Sequence, residues 1–181
     1  SELVGVLDSN ERLNRIKEGK RKHLIDFEEP SFSKWEGPIA HVSRTVDLYA
    51  GPGKEYAQEK NYKVNAESDF ILCAQEDDFY LIEIEVGEKK ARFWVVKNRV
   101  FYDDTSAILN DCGKKKAASY TLLDSDVCYG PGEEYMKREE QLQMGQTVTV
   151  YEAEDEYSMV EYVKNEKKYR GWILTESLAS P

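Results

Sequence analysis

The 181-residue chain has few of the residues that enzymes and metal sites commonly use. It contains two histidines, His23 and His41, and three cysteines, Cys73, Cys112 and Cys128. The spacing of the cysteines matches no zinc motif such as CxxC. A Cys/His hydrolase needs a thiolate beside an imidazole, and none of the three cysteines lies in a nucleophile-like context. The sequence therefore predicts a protein that is not an enzyme and that holds no metal or cofactor.

Long apolar runs and an excess of positive charge are also missing. No apolar run approaches the roughly 20 residues that a membrane-spanning helix needs. The 25 Lys and Arg residues are outnumbered by 35 Asp and Glu residues, which gives a formal net charge of −10. Because affinity for nucleic acid comes mostly from clustered Lys and Arg, the composition predicts no nucleic-acid partner and no membrane insertion.

The sequence does contain an internal repeat. The segment GPGKEY at Gly51–Tyr56 returns as GPGEEY at Gly130–Tyr135, an offset of 79 residues. At an offset of 78, residues 68–96 align without gaps with residues 146–174. A single one-residue length change in the loop between these segments reconciles the two offsets. The pattern indicates an internal duplication.

Each copy is predicted to form short antiparallel strands. Apolar and polar residues alternate around turns at EDDF and EDEY, and again around GEKK and NEKK, where Gly87 and Asn165 can accept positive φ. A Trp-bearing strand follows, and each copy ends on a predicted 3₁₀ turn. In the two GPG segments, the proline fixes φ while the glycines allow positive φ and close backbone approach. We expect the tyrosine that follows to fold back and cap its barrel. Regularly spaced strands of this kind favour an all-β fold of two small barrels.

This layout resembles the bacterial SH3-like (SH3b) family, in which a Gly-Pro turn enters a long loop and Gly-Trp lies on the penultimate strand. The second copy has Gly171–Trp172 at that position, whereas the first has Phe93–Trp94. The resemblance implies SH3-like barrels at residues 42–102 and 118–181, joined by a linker at 103–117. It also implies location in the bacterial cell envelope (periplasmic, lipoprotein or secreted), with a cytoplasmic location left open.

Two segments lie outside the repeats. Residues 1–41 are predicted to form an N-terminal extension with a short helix capped at Ser9 or Asn10. We expect it to pack on the first barrel through Leu24, Phe27 and Trp35. The linker is predicted to contain one helical turn at residues 106–109, and its apolar Ile108 and Leu109 favour docking over a free tether.

Aromatic residues are the candidate ligand contacts. In SH3-like barrels, rings near the long loop and the Trp strand can line a shallow groove, and the alternative is that the same rings form the barrel core. The acidic turns are expected to be solvated hairpin tips or, alternatively, a face for a cationic partner. The candidate groove residues are Tyr56, Phe79, Trp94, Tyr135, Tyr157 and Trp172.

Two functions remain open at this point. The first is a non-enzymatic tandem binding or targeting module for cell-wall peptide, glycopeptide or a protein partner in the bacterial envelope, with avidity from its two copies. The alternative is a structural or inhibitory partner protein that holds a basic protein with its acidic surface and the cleft between the barrels.

Overall fold

Two curled antiparallel sheets make up the part of the chain that the structure describes. The computed structural model describes residues 35–103 and 108–180. The predicted N-terminal helix, Leu24, Phe27 and half of the predicted linker turn, residues 106 and 107, lie outside these residues. Among the described residues, the regular secondary structure consists of fourteen strands and two short 3₁₀ turns, which confirms the all-β prediction.

The first sheet contains eight strands. Their bounds are β1 Ile39–Val42, β2 Val46–Tyr49, β3 Gln58–Val64, β4 Phe70–Glu76, β5 Phe79–Val86, β6 Lys89–Val96, β7 Val100–Phe101 and β8 Asn110–Asp111. They pair in the order β3-β2-β6-β5-β4-β1-β7, and β8 adds to β4 in parallel.

The second sheet repeats the same order without the last two strands. Its six strands pair as β11-β10-β14-β13-β12-β9. Their bounds are β9 Ala117–Tyr120, β10 Ser125–Cys128, β11 Lys137–Leu142, β12 Thr147–Glu154, β13 Tyr157–Lys164 and β14 Lys167–Leu174. We call residues 39–101 repeat 1 and residues 117–179 repeat 2.

Turns at equivalent positions of the structure confirm the alignment of the two copies. Gly87 and Asn165 have positive φ (63° and 52°), so both accept the left-handed geometry that their hairpins require. The expected 3₁₀ turns lie at Lys97–Arg99 and Thr175–Ser177. Ladder irregularities also recur at equivalent places, since β2 slips between Asp47 and Tyr49 and β10 slips between Asp126 and Cys128.

Three hydrophobic clusters lie inside this arrangement. One fills repeat 1 around Leu48, Leu72 and Phe93, and another fills repeat 2 around Val127 and Ile173. The third joins residues from both repeats, and we call it the inter-repeat cluster: Trp35, Cys73, Ala74, Phe79, Leu81, Trp94, Cys112, Cys128, Met159 and Trp172. The repeats therefore pack on each other within one compact unit, Lys34–Pro181, and are not independent domains.

The described part of the linker packs as well. β8 pairs with β4, and Leu109 is buried against the core of repeat 1, whereas Ile108 is exposed. Cys112 is fully buried, and its backbone N–H donates to the carbonyl of Gln75. The expected docking of the linker is thus carried by Leu109 and by strand pairing, not by Ile108.

Candidate functional site

The six aromatic residues predicted to line a groove lie at the junction of the two repeats. Phe79, Trp94 and Trp172 belong to the inter-repeat cluster, and Tyr157 packs against it. Tyr56 and Tyr135 are each 5% exposed, and Trp94 and Trp172 are 2% and 3% exposed. Tyr157 alone among the six is half-buried. Ligand binding at these rings stays a prediction, because five of the six present almost no surface to solvent in this arrangement.

The repeated GPG segment explains how the two tyrosines reach the junction. A Cβ placed on Gly51 would lie 2.0 Å from Cδ2 of Tyr56, and one on Gly130 would lie 2.0 Å from Cδ2 of Tyr135. Each tyrosine ring therefore lies flat over its own glycine, which confirms the expected close approach. The glycines of the two segments do not have positive φ, so that part of the prediction was wrong.

The hydroxyl of each tyrosine crosses to the other repeat. Tyr56 donates a 2.5 Å hydrogen bond to Glu161 of repeat 2. Tyr135 donates a 2.5 Å hydrogen bond to Glu83 of repeat 1. The tyrosines therefore do not simply cap their own barrels, because they tie each barrel to its neighbour.

Arg170, a buried arginine on β14, makes the central contacts of repeat 2 at the junction. The Arg170 guanidinium donates to both carboxylate oxygens of Glu76 in repeat 1, at 2.7 and 2.9 Å. It also donates to Glu161 of its own repeat at 3.1 Å and to the Tyr56 hydroxyl at 3.2 Å. The Tyr151 ring lies 3.8 Å from the guanidinium carbon. Charge-assisted forks of this kind are the stronger class of hydrogen bond.

The equivalent arginine on β6 makes the mirrored contacts. Arg92 donates to Glu83 of its own repeat, to Glu154 of repeat 2, and to the Tyr135 hydroxyl, at 3.0, 3.0 and 3.1 Å. Arg92, Glu83 and Tyr135 are the sequence equivalents of Arg170, Glu161 and Tyr56. The two halves of the junction thus use the same patch on both partners, as an isologous two-fold interface does.

Backbone hydrogen bonds repeat this symmetry. The Arg170 N–H donates to the Ala50 carbonyl and the Ala57 N–H donates to the Lys168 carbonyl, at 2.8 and 3.0 Å. At the equivalent places, the Arg92 N–H donates to Tyr129 and the Met136 N–H donates to Lys90, both at 2.9 Å. Short parallel bridges join Tyr56 to Lys168 and Lys90 to Tyr135. The GPG excursion of each repeat therefore pairs with the Trp strand of the other.

The electrostatics of the junction keep its charges paired. Burial raises the pKa of both Tyr56 and Tyr135, and hydrogen bonds to Glu161 and Glu83 add to the effect, so both hydroxyls stay protonated donors. Burial opposes ionisation of Glu161, but the Tyr56 hydroxyl and Arg170 outweigh it and lower the pKa of this carboxyl. Every guanidinium nitrogen of Arg92 and of Arg170 has a hydrogen-bond partner, and a buried charge network satisfied in this way gives a rigid junction.

The junction is asymmetric at one point. Position 151 corresponds to Cys73 in repeat 1. Where Tyr151 covers Arg170 in repeat 2, the small Cys73 leaves space in repeat 1, and the Trp35 indole lies 5.7 Å from the Arg92 guanidinium carbon. Trp35 also packs edge-on against Trp172 with ring centroids 5.2 Å apart. Trp35 therefore contacts both repeats, where packing on the first barrel alone was expected.

The three cysteines are buried and chemically quiet. Cys73, Cys112 and Cys128 are free thiols with 4% or less of their surface exposed. Burial raises the pKa of Cys73 to about 12 and also raises the pKa of Cys112 and of Cys128. A neutral, enclosed thiol is a poor nucleophile because the thiolate is the reactive form. His41 lies on β1 with its ring 5.9 Å from that of Phe101.

An open groove lies where β3 of repeat 1 faces β11 of repeat 2, and we call it the shared groove. Its volume is about 460 Å³. Its lining includes the half-buried rings of Tyr62 and Tyr169 and the buried pair Glu59 and Arg138. Residues of both repeats line it: Ala57, Gln58, Glu59, Lys60, Asn61, Tyr62, Tyr129, Lys137, Arg138, Glu139, Glu140, Lys167 and Tyr169.

Sequence reasoning missed the role of the charged residues at the junction. The acidic turns do place Asp77, Asp78, Asp155 and Glu156 in solvent, as expected of hairpin tips. Glu76 and Glu154, one residue earlier, instead bind the arginine of the opposite repeat. The repeat itself offered a signal for this role. A charged residue that occurs at the same place in both copies and has no role in its own barrel indicates a contact between the copies.

Comparisons with known proteins provide no family. No protein-family model matches the chain, and no curated protein matches it. Two solved structures, of NlpC2 and of NlpC1 from Trichomonas vaginalis, are each 12% identical with a TM-score of 0.33. They cover 81% and 84% of this chain, which spans about half of their length, at 49% and 48%. A likeness this low carries no argument about fold or function.

The described residues offer neither a metal site nor a membrane-spanning helix. No group of three or more His, Cys, Asp and Glu side chains is arranged to hold a metal ion within residues 35–103 and 108–180. Across the same residues, no helix has the length and apolar character needed to cross a bilayer.

Proposed function

We propose that this chain is a non-enzymatic binding module in which two SH3-like barrels act as one rigid body. Its ligand is a peptide or glycopeptide of the cell wall, or an extended segment of a partner protein, in the bacterial envelope. The observation that carries the proposal is the shared groove, because both repeats contribute to its walls. A ligand there would contact both barrels at once, so the duplication would serve one composite site rather than two separate ones.

The walls of the shared groove suit an extended polar chain. Tyr62 and Tyr169 offer flat apolar faces with polar tips, which is the usual surface for peptide recognition. β3 and β11 are the outermost strands of their sheets, so the groove runs between two edges. Edge strands offer backbone donors and acceptors to an added strand. An extended peptide fits this combination better than a compact small molecule.

The charge of the groove favours a ligand with free carboxylates. Lys60, Lys137 and Lys167 are exposed at its rim, although the chain as a whole has a net charge of −10. Glu59, which also lines it, is neutralised by Arg138. Glu139 and Glu140 also line the groove and Lys137 pairs with Asp126, so Lys60 and Lys167 are the lysines that steer acidic groups to this face. Cell-wall peptides and acidic protein segments both supply such groups.

The buried thiols support a role without covalent chemistry. A nucleophile must reach its substrate, and Cys73, Cys112 and Cys128 lie inside the protein with raised pKa values. The alternative function, a holder of a basic protein, would use the exposed Asp and Glu residues of the hairpin tips rather than the groove. The two functions differ in which surface charge matters.

The test is retention of the full chain on purified peptidoglycan, compared with a charge-reversed variant of the groove. We expect Lys60→Glu/Lys167→Glu to lose at least about tenfold in affinity, since both lysines face the ligand and neither has a buried partner. Lys115→Glu, an exposed lysine in the linker segment, is the matched control and should bind normally.

Equal binding by the groove variant and the wild type would refute the assignment of the groove. Failure of the wild type to bind peptidoglycan would rule out the cell-wall ligand. Capture of a basic protein that is released by reversing Asp77 and Asp155 would then establish the alternative.

A further inference from the structure

One position of the junction contacts its own sequence equivalent. Glu59 on β3 and Arg138 on β11 are the same position in the two repeats, at the offset of 79 that aligns the GPG segments. In a two-fold interface, a residue on the axis meets its own counterpart. Glu59 and Arg138 do so, with Oε2 and Nη2 2.6 Å apart. Both side chains are buried, at 8% and 5% exposure.

This axial pair is held by further contacts that lack a symmetric copy. The Tyr129 hydroxyl donates to Glu59 at 3.3 Å and accepts from Nη1 of Arg138 at 3.1 Å. The Arg138 Nη2 also donates to the Arg170 carbonyl at 3.2 Å. The equivalent of Tyr129 in repeat 1 is Ala50, which has no group to offer. The hydrogen bonds are thus built for a carboxylate on one side and a guanidinium on the other.

The packing next to the axial pair also differs between the two repeats. A Cβ on Gly171 would lie 2.3 Å from Cγ1 of Val127 and 3.7 Å from Nε of Arg138, so the glycine permits the close packing of Val127 beside the guanidinium. At the equivalent place, repeat 1 carries Phe93, which packs against Tyr62 and Tyr129 with ring centroids 5.3 Å apart in each case. The departure of repeat 1 from the Gly-Trp pattern therefore accompanies the change of charge at the axis.

We propose that this axial pair makes the interface accept unlike repeats and reject like ones. Two copies of repeat 1 would bury Glu59 against a second Glu59, and two copies of repeat 2 would bury Arg138 against a second Arg138. Facing like charges in a desolvated site are strongly unfavourable. The interface of each repeat therefore fits the other repeat. It does not fit a second copy of the same repeat. A repulsive element of this kind is a general source of pairing specificity.

Charge reversal in the full chain tests the proposal. Arg138→Glu creates a Glu/Glu axis, Glu59→Arg creates an Arg/Arg axis, and the double variant restores opposite charges in the reverse order. The measurement is urea unfolding followed by circular dichroism. We expect each single variant to raise the unfolding equilibrium constant at least about 100-fold. The unfolding equilibrium constant of the double variant should be at least about tenfold lower than the value obtained by multiplying the two single-variant increases.

Controls separate the axial effect from a general loss of charge balance. Lys63→Glu disrupts the exposed pair with Asp47 in repeat 1 and should change the unfolding constant by less than about fivefold. If the reversed single variants do not fold, Glu59→Gln, Arg138→Gln and their combination give the same double-mutant cycle with smaller changes.

Independent effects of the two positions in whichever cycle can be measured would overturn the proposal. Single reversals that change the unfolding constant less than about threefold would overturn it as well. Neither result depends on ligand binding, so the proposal and the assignment of the shared groove can fail separately.

Discussion

Replacement of Arg170 by alanine should be among the most damaging single changes in this protein. The side chain binds Glu76 through two hydrogen bonds, Glu161 through one and the Tyr56 hydroxyl through another, all at 2.7–3.2 Å. Its removal takes the guanidinium from both carboxylates and leaves Glu161 with only the partly exposed Lys168, 4.0 Å away. Breaking a buried ion pair in this way costs about 3–5 kcal/mol. Since whole domains are stable by about 5–15 kcal/mol, the variant should lose a large share of its stability.

The pH dependence of this loss distinguishes electrostatics from packing. In the wild type the pKa of Glu161 is lowered below its usual 4.5, so the stability it provides is present above pH 4.5 and is lost as the pH falls through the folded value. Without Arg170, burial and the neighbouring carboxylate favour the protonated form. The gap between the variant and the wild type should therefore be widest near neutral pH and narrow as the pH approaches about 4.

Urea unfolding followed by circular dichroism at about pH 7 and about pH 4 is the assay. Lys168→Ala is the matched control, because Lys168 lies 4.0 Å from the same Glu161 but is partly exposed, and it should cost less than about 1 kcal/mol. A penalty for Arg170→Ala that is equally large at both pH values would show that the guanidinium acts by filling space. A penalty below about 1 kcal/mol would refute the reasoning altogether.

Two further results are expected. Gly130→Ala should destabilise the protein by about 1–3 kcal/mol, because its Cβ would overlap the Tyr135 ring, and the change should appear as a lower urea midpoint; an unchanged midpoint would contradict the close packing inferred there. The three thiols should resist a thiol-reactive dye in the native state and react together on unfolding, and a single fast-reacting thiol at neutral pH would contradict their burial.

The sequence was informative about each barrel because the relevant physics is local. Alternation of apolar and polar residues predicted the strands, and the hairpin residues Gly87 and Asn165 predicted turns that the structure confirms. The close approach of the GPG segment to a following tyrosine was also predictable. Each of these features depends on residues within one short stretch of chain.

The junction was not predictable in the same way, because its contacts join residues about 100 positions apart. The hydrogen bond between Tyr56 and Glu161 and that between Arg170 and Glu76 are examples. Aromatic residues repeated in both copies are compatible with ligand contacts, with barrel core or with an interface. Their burial between two copies depends on how the copies dock, and a single repeat does not specify docking. The duplication identified equivalent positions of the two copies, but it did not show which of these positions are in contact.

The inter-repeat cluster makes the protein its own optical reporter. The chain has three tryptophans, and all of them, Trp35, Trp94 and Trp172, belong to this cluster. Arginine guanidinium groups lie 5.5–5.7 Å from each of the three indoles. Tryptophan fluorescence therefore arises from the seam between the barrels, because no tryptophan lies elsewhere in the chain. Any separation of the barrels that wets the seam should shift the emission to longer wavelength, even where each barrel keeps its own fold.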